Sequence, residues 1–324
     1  MQRRQLLSTI ALGSMACCFN TWAQSHAPMT PITLVVPFAP GASVDTLARL
    51  VAREVTLRSG QTVLVDNRPG ANGIIGAQHV KNSMPDSKQL FIANVGSHAI
   101  NVPLYGKRLP YDVFKDFAPI TLLWRFPSVL AVPANSAAKD VSGLLALAKK
   151  QGMTFASAGN GSGGHLLGEM LKQSSGVSQL IHVPYKGAAP AVVDLMAGRV
   201  DSFFVSYSSI QRQVEQGSLR VLAVANAQRL DVLPQVPTLV EAGYSDVALD
   251  NWFGLVAHAA MPAAQVQQLH QLFAQVLQDP EVVQLMATQG VQAMAMPPAQ
   301  FTELMREDIR RLGQIVAHVG ATVN

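Results

Sequence analysis

The sequence is poor in charged residues. Asp, Glu, Lys and Arg make up 14% of its 324 residues, against about 25% in an ordinary soluble protein. So few charges exclude a disordered acidic or basic tail protein. The basic residues leave a net charge of only +4 and form no run along the chain, so we expect no nucleic-acid partner. The length is ample for two folded domains with cores of their own.

The N-terminus has the pattern of an export signal. Arg3 and Arg4 precede a short apolar segment over residues 6–19, and Ala23 provides a small residue for cleavage before Gln24. The apolar segment is too short for a membrane-spanning helix. We therefore predict a signal peptide over residues 1–23, cleaved near Ala23 and Gln24, and a periplasmic protein exported by the general secretory route. Export by the twin-arginine route is the alternative.

Cysteine is absent after that segment. Cys17 and Cys18 both lie inside the predicted signal, so the mature chain can form no disulfide, thiolate nucleophile or cysteine–metal site. A lipid anchor at Cys17 is a minor alternative, because the preceding residues 14–16 make a poor lipidation motif. The eight histidines show no metal-ligand spacing. We predict no metal and no cofactor.

Predicted strands and helices alternate through the rest of the chain, in two successive units. The predicted strands are residues 32–36, 62–65, 89–93, 154–156, 180–183, 201–205 and 219–224. The predicted helices are residues 44–57, 74–82, 165–173, 188–197, 263–277 and 298–319. This order favours an α/β fold in which mainly parallel sheets are flanked by helices.

Two extended segments connect the units. Residues 121–132 leave the first unit, and residues 252–257 lead towards helices with no predicted sheet of their own. If those C-terminal helices pack on the first sheet, the chain crosses between two domains twice, which makes a clamp with a cleft and a hinge. We predict one domain from residues 24–124 plus 252–324 and a second from residues 125–251.

The segment after the first strand is a candidate anion site. Gly41 permits an unusual backbone angle, and the amides of Ala42 to Asp45 would face outward from a helix start. Such a start has free N–H donors and partial positive charge, which suit a carboxylate or phosphate. The simpler alternative is that Ser43 or Asp45 only caps the helix.

A second candidate is the glycine-rich loop over residues 157–165. Gly159, Gly161 and Gly164 match the dinucleotide-binding pattern G-x-G-x-x-G. However, the following strand is not followed by the acid that would contact a ribose. A loop whose amides contact a small anion fits the sequence better.

The same loop raises the question of nucleophilic catalysis. Ser157, Ser162 and His165 are close together, but the chain has no G-x-S-x-G motif. A triad assembled from distant residues stays open, so an exported serine hydrolase is the alternative function. Ser97 and Ser206 stand in or beside two further loops that follow predicted strands, where open α/β sheets bind ligands.

Many ordered blocks of the sequence resemble one known family, the solute receptors of tripartite tricarboxylate transporters, also called Bug receptors. The resemblance covers nearly the whole mature chain. Its blocks are residues 35–41 with Asp45, 65–73, 109–112, 115–117, 157–165, 182–187, 234, 236–238, 241–243 and Trp252.

The resemblance implies a periplasmic binding protein-like clamp, with two crossover strands at the hinge near residues 124–126 and 251–253. It implies a non-enzymatic receptor that captures a small organic acid and delivers it to transporter subunits in the membrane, and we expect a monomer. The ligand's carboxylate would meet the first loop and its far end the others. The residues expected to bind it are Phe38, Pro40, Gly41, Ala42, Ser43, Asp45, Ser97, Ser157, Gly159, Gly161, Ser162, His165 and Ser206.

Two departures from the family pattern affect the expected ligand. Many members carry Gly-Gly after the proline, whereas here Gly41 is followed by Ala42 and Ser43; this keeps the amides but narrows the pocket entrance. Members that bind amino acids have an acid after the strand that here ends at Ser206. Without that carboxylate an ammonium group has no partner, so we expect a ligand that is purely an acid or an aromatic acid.

Overall fold

The computed structural model describes residues 30–319, apart from residues 86, 227 and 250 and the side chains of residues 318 and 319. The predicted signal peptide and both cysteines lie outside the described residues. No helix in the described part of the chain has the length and apolar character needed to cross a membrane.

The predicted strands and helices are present, with ends within a few residues of the predicted ones. Four further helices, over residues 101–105, 141–151, 211–215 and 280–287, were not predicted. The strands are β1 Ile32–Val36, β2 Val63–Asn67, β3 Gln89–Asn94, β4 Phe117–Phe126, β5 Ser128–Pro133, β6 Met153–Ser157, β7 Leu180–Pro184, β8 Ser202–Ser206, β9 Leu219–Val224, β10 Asn251–His258 and β11 Gln292–Met296. The α-helices are α1 Ser43–Ser59, α2 Ile74–Lys81, α3 Asn101–Tyr105, α4 Val141–Gln151, α5 Gly163–Ser175, α6 Ala188–Met196, α7 Gln211–Glu215, α8 Ala263–Leu277, α9 Pro280–Ala287 and α10 Pro298–Val319.

The first domain is built on a six-stranded sheet with the order β11-β4-β10-β3-β1-β2. β1 pairs in parallel with β2 and β3, whereas β10 is antiparallel to both β3 and β4. Hydrophobic periodicity explains how helices cover it. In α1 the buried residues Val44, Leu47, Val51 and Val55 recur every three or four positions, which places them on one helix face.

The second domain is built on a five-stranded sheet with the order β7-β6-β8-β5-β9. β6 is parallel to β7 and β8, while β5 is antiparallel to its neighbours β8 and β9. Both sheets are therefore mixed. Their parallel parts are the predicted ones, and the antiparallel strands β5 and β10 are those by which the chain enters the second domain and returns to the first.

The connection from β4 to β5 is direct. Phe126 ends β4, Ser128 begins β5, and Pro127 between them has no N–H with which to continue a ladder. The return connection leads into β10 at Asn251. These features fit the predicted hinge segments, and the two-domain clamp agrees with the expected architecture. The division at residues 124–125 and 251–252 stays a prediction.

One strand was not predicted. β11 pairs with β4 at the edge of the first sheet, so the C-terminal segment contributes to a sheet after all. Its sequence, Gln-Ala-Met-Ala-Met, lacks the β-branched and aromatic residues that mark strands. Pairing with β4 therefore decides its conformation.

Candidate functional site

A cavity of about 1410 Å³ lies between the two domains. It is lined by the loops that follow β1, β2, β3, β6, β7 and β8 and by the first residues of β5 and β10. Carboxyl ends of parallel strands are the usual ligand sites of open α/β sheets. The sequence analysis placed its candidates at these strand ends, and the fold brings the ends of both sheets together.

The start of α1 presents unpaired amides to this cavity. Ala42 is the N-cap residue, and no side chain caps the helix. The amides of Ser43 and Val44 have no backbone acceptor among the described residues, and both residues line the cavity. Gly41 has φ +82°, a conformation that favours glycine. This helix start is therefore free to bind an anion. The Ser43 side chain does not cap the helix, in contrast to the capping alternative considered for it.

Asp45 supports this loop from behind. The Asp45 carboxylate is 3% exposed and accepts hydrogen bonds from the Gly41 amide at 2.8 Å, Arg49 Nε at 3.0 Å and Asn67 Nδ2 at 2.9 Å. Burial would raise the pKa of Asp45, but the hydrogen bonds from Arg49, Gly41 and Asn67 outweigh it and lower that pKa. The carboxylate stays charged and holds Gly41 against the helix start.

The start of α5 faces the cavity from the second domain. Ser162 is its N-cap residue, and the Ser162 hydroxyl accepts from the His165 amide at 3.4 Å. The amides of Gly163 and Gly164 have no backbone acceptor in the described part of the chain and line the cavity. A Cβ at Gly164 would lie 2.3 Å from the carbonyl oxygen of Phe204, so this close approach of helix and strand requires glycine.

A serine–histidine pair lies beneath that loop. Ser157 Oγ is 2.7 Å from His182 Nε2, and the rings of His165 and His182 stack with centroids 4.0 Å apart. Burial, followed by the charge of His165, lowers the pKa of His182 to about 4, and burial also lowers the pKa of His165. Both rings are therefore neutral near pH 7. Ser157 is fully buried and does not line the cavity.

Hydroxyl groups form a bridge between the two domains. Ser206 Oγ is 2.9 Å from Ser209 Oγ, which is 3.1 Å from Ser43 Oγ. Ser43 belongs to the first domain, and the other two serines belong to the second. All three line the cavity, together with Ser208, whose buried Oγ has no hydrogen-bond partner in the described structure. The bridge joins the two domains beside the cavity, and its hydroxyls are available to a polar ligand.

Asn72 forms the second bridge between the domains. The Asn72 amide nitrogen Nδ2 donates to the carbonyl of Gly161 at 3.0 Å and to Asn101 Oδ1 at 2.8 Å. Asn72 has φ +48°, a left-handed conformation that asparagine adopts more readily than most residues. Sequence reasoning did not assign Asn72, although it follows β2 at the same sheet edge as the other candidates.

The charge of the lining favours an anion. No Asp, Glu, Arg or His is among the described residues that line the cavity, and its one charged residue is Lys186. The starts of α1, α5 and α6 also contribute lining residues, and each helix start carries partial positive charge. Lys186 and the start of α6 were not among the predicted site residues.

The structure divides the predicted site residues into two groups. One group lines the cavity: Phe38, Pro40, Gly41, Ala42, Ser43, Gly159, Ser162 and Ser206. The other group lies outside the lining: Asp45, Ser97, Ser157, Gly161 and His165. Ser97 is fully buried, and its hydroxyl is 3.1 Å from the Asn94 amide, so it shapes the turn after β3. Contact of either group with a ligand stays a prediction.

No three His, Asp, Glu or Cys side chains in the described part of the chain are grouped so that they could hold a metal ion. The cavity lining consists instead of backbone amides, hydroxyls, side-chain amides, one lysine and apolar side chains. These groups can bind an organic anion through hydrogen bonds and shape.

Sequence comparison identifies the family. A sequence model of the tripartite tricarboxylate transporter family receptor matches residues 47–321. The chain belongs to this receptor family. The resemblance seen in the sequence is therefore confirmed.

Several members are similar to the receptor over most of their length. BugT of Bordetella pertussis is 31% identical, over 91% of this chain and 90% of that protein. The structure of R. palustris Rpa4515 with adipate has a TM-score of 0.86 and 31% identity, and the match covers 92% of this chain and 100% of that one. The structure of MatC from Rhodopseudomonas palustris with bound malate has a TM-score of 0.82 and 29% identity, over 89% and 99% of the two chains.

Proposed function

We propose that the receptor binds a small organic acid in the cavity between its domains. The observation that carries this proposal is the combination of helix starts from both domains with a lining that lacks acidic residues. Unpaired amides at Ser43, Val44, Gly163 and Gly164 can donate hydrogen bonds to carboxylate oxygens. The adipate and malate held by the two similar R. palustris proteins support the same class of ligand.

The proposal includes location and partners. The receptor works in the periplasm after cleavage near Gln24 and passes its ligand transiently to the membrane subunits of a tripartite tricarboxylate-type transporter. The family description supports the transporter, and the N-terminal pattern of the sequence supports export. Delivery to a transporter explains why the ligand would be held between two domains that can separate.

The receptor is proposed not to be an enzyme. A serine hydrolase needs a nucleophile that its substrate can reach. Ser157 has a histidine partner, but it is fully buried outside the cavity lining and also contacts the carbonyl of Gly159 at 3.0 Å. Of the serines that line the cavity, Ser43, Ser206 and Ser209 pair with one another, and the Ser162 hydroxyl accepts from the His165 amide. These contacts favour binding over hydrolysis.

The test compares two substitutions of Ser162 that differ in charge alone. Asp and Asn have nearly the same size and cap helices about equally well, so Ser162→Asp and Ser162→Asn should both keep α5 intact. Aspartate would put a negative charge beside the amides proposed to bind the acid. Calorimetric titration of the wild-type protein with malate, adipate and other small acids identifies a ligand. The Asp variant should then lose its binding, while the Asn variant retains most of it.

Unfolding midpoints of the empty proteins provide the control, and both variants should unfold close to the wild type. The same comparison at Ser43, with Ser43→Asp and Ser43→Asn, examines the facing helix start. Equal affinities of the Asp and Asn variants at both positions would contradict the proposed anion site. Failure of the wild type to bind any acid would contradict the proposed function itself.

A further inference from the structure

One wall of the cavity is an apolar helix face that the anion site does not use. Ala189, Val193 and Met196 of α6 all line the cavity. Their spacing of four and three residues places them along one side of the helix. Val193 is 56% exposed and Met196 41% exposed. We call these three residues the α6 stripe.

The opposite side of α6 already packs in the core. Ala191 and Leu195 are buried in the core of the second domain, so the α6 stripe is not needed to hold the helix in place. Val192 lies between the two sides of the helix, where it is buried and also lines the cavity. Single exposed apolar residues are common on protein surfaces. Three that adjoin on one helix face and border a ligand cavity form a patch of the kind that marks a binding surface.

Closure of the domains does not cover the stripe. The domains are already in direct contact through the Ser43–Ser209 and Asn72–Gly161 hydrogen bonds. Val193 and Met196 remain exposed in this arrangement. The space beside them belongs to the 1410 Å³ cavity, which is larger than a four-carbon acid requires. The α6 stripe is therefore available to contact a part of the ligand other than its carboxylate.

The charges nearby limit what that part can be. No acidic side chain is among the described lining residues, so a cationic group on the ligand would have no oppositely charged partner. The described lining holds one cationic side chain, Lys186, just before α6. An apolar body gains about 0.8 kcal/mol for each methylene removed from water.

We infer that the receptor's ligand is an acid with an apolar body, either a hydrocarbon chain or an aromatic ring, which packs on the α6 stripe while its carboxylate meets the helix starts. This inference rests on the proposed function and names its ligand class. Val193 and Met196 are then the residues that select chain length.

The test uses the straight-chain acids butanoate, hexanoate and octanoate, with adipate as the six-carbon diacid. Calorimetric titration of the wild type should show affinity rising along the series, with octanoate bound about tenfold or more tighter than butanoate. Full burial of one methylene corresponds to about fourfold in affinity. Hexanoate should bind more tightly than adipate, because the second carboxylate of adipate would lie against the stripe.

The double variant Val193→Gln/Met196→Gln replaces the stripe with polar residues that favour helices. It should bind butanoate like the wild type and lose the gain with chain length. The matched control is Val283→Gln/Leu285→Gln on α9, where both residues are exposed at 40% and 43% and lie outside the cavity lining. This control should keep the wild-type series.

Each of the other possible outcomes contradicts a specific part of the inference or the proposed function. Affinity that does not rise from butanoate to octanoate, or adipate bound more tightly than hexanoate, overturns the apolar body but leaves the acid receptor standing. A rise that persists in the Val193→Gln/Met196→Gln variant overturns the assignment to the α6 stripe. If no small organic acid, aromatic acids included, binds to the wild type, the proposed function fails and this inference fails with it.

Discussion

Asn72 should control how tightly the closed receptor holds its ligand. The Asn72 side chain donates one hydrogen bond across the cleft, to the Gly161 carbonyl, and one within its own domain, to Asn101 Oδ1. Only the first is made between domains, so only the first is lost when the clamp opens. Removing it should destabilise the closed state relative to the open state and thereby weaken binding.

The perturbation is Asn72→Gly, with Asn72→Ala beside it. A hydrogen bond contributes about 0.5–1.5 kcal/mol net, so loss of the Gly161 contact should weaken ligand affinity about twofold to tenfold. Glycine tolerates the φ of +48° at this position. Alanine adds a cost of about 1–2 kcal/mol for a left-handed residue. The Ala variant should therefore lose more folding stability than the Gly variant.

The control is Asn101→Ala, which removes both hydrogen bonds between Asn101 and Asn72, from Asn72 Nδ2 to Asn101 Oδ1 and from Asn101 Nδ2 to the Asn72 carbonyl, and leaves Asn72 Nδ2 able to donate to the Gly161 carbonyl. Affinity for the acid found in the titrations is measured by calorimetry, and stability of the empty protein by urea unfolding. Asn101→Ala should reduce stability with little change in affinity, whereas Asn72→Gly should reduce affinity. Wild-type affinity in Asn72→Gly, or an equal loss of affinity in Asn101→Ala, would refute the assignment of Asn72 to domain closure.

Two further predictions concern stability. A Cβ at Gly168 would lie 2.0 Å from the Phe155 ring, so Gly168→Ala should lower the free energy of unfolding by about 1–3 kcal/mol. Urea unfolding measures this, and Gly313→Ala in α10, where the nearest atom, Pro103 Cβ, would be at an ordinary contact distance of 3.7 Å, should be neutral or stabilising. Burial lowers the pKa of His98 to about 3, and burial followed by the charge of a neighbouring histidine lowers that of His182 to about 4. In the unfolded chain these histidines have pKa values near 6.5, so they take up protons there before they do in the folded protein. Their contribution to the free energy of unfolding should therefore be complete above about pH 6.5 and decrease as the pH drops towards 3. An unfolding midpoint that does not change between pH 7 and pH 4.5 would contradict this.

Local sequence patterns were enough to predict most of the strands and helices and the edge of the sheets at which the site lies. β-branched runs such as residues 32–36 and apolar periodicity such as that of α1 depend on neighbours a few positions apart. Such patterns are local, and they persist whatever the fold does elsewhere. Loops that follow parallel strands must meet at one edge, so the candidate residues were predicted at the correct edge without any knowledge of the packing.

Which side chains reach the cavity depends on how the loops pack in three dimensions. Asp45 and Ser157 stand in the predicted loops, yet one supports the Gly41 loop from behind and the other bonds to His182 beneath the surface. Each loop turns one side inward, and sequence spacing does not say which side. Long-range contacts also cannot be predicted from local sequence patterns. For example, the hydroxyls of Ser43 and Ser209 form a hydrogen bond although the two residues are 166 positions apart in the sequence.

The exposure of the α6 stripe also depends on the tertiary structure. Its spacing was visible in the predicted helix over residues 188–197, and by itself it is typical of a face that packs in a core. The structure placed Ala191 and Leu195 in the core and left Val193 and Met196 beside the cavity. The sequence shows that this helix has apolar residues on two sides. The position of the sheet beneath the helix determines which of the two sides is buried. Because the two domains pack around a cleft, the other side of the helix remains exposed beside the cavity.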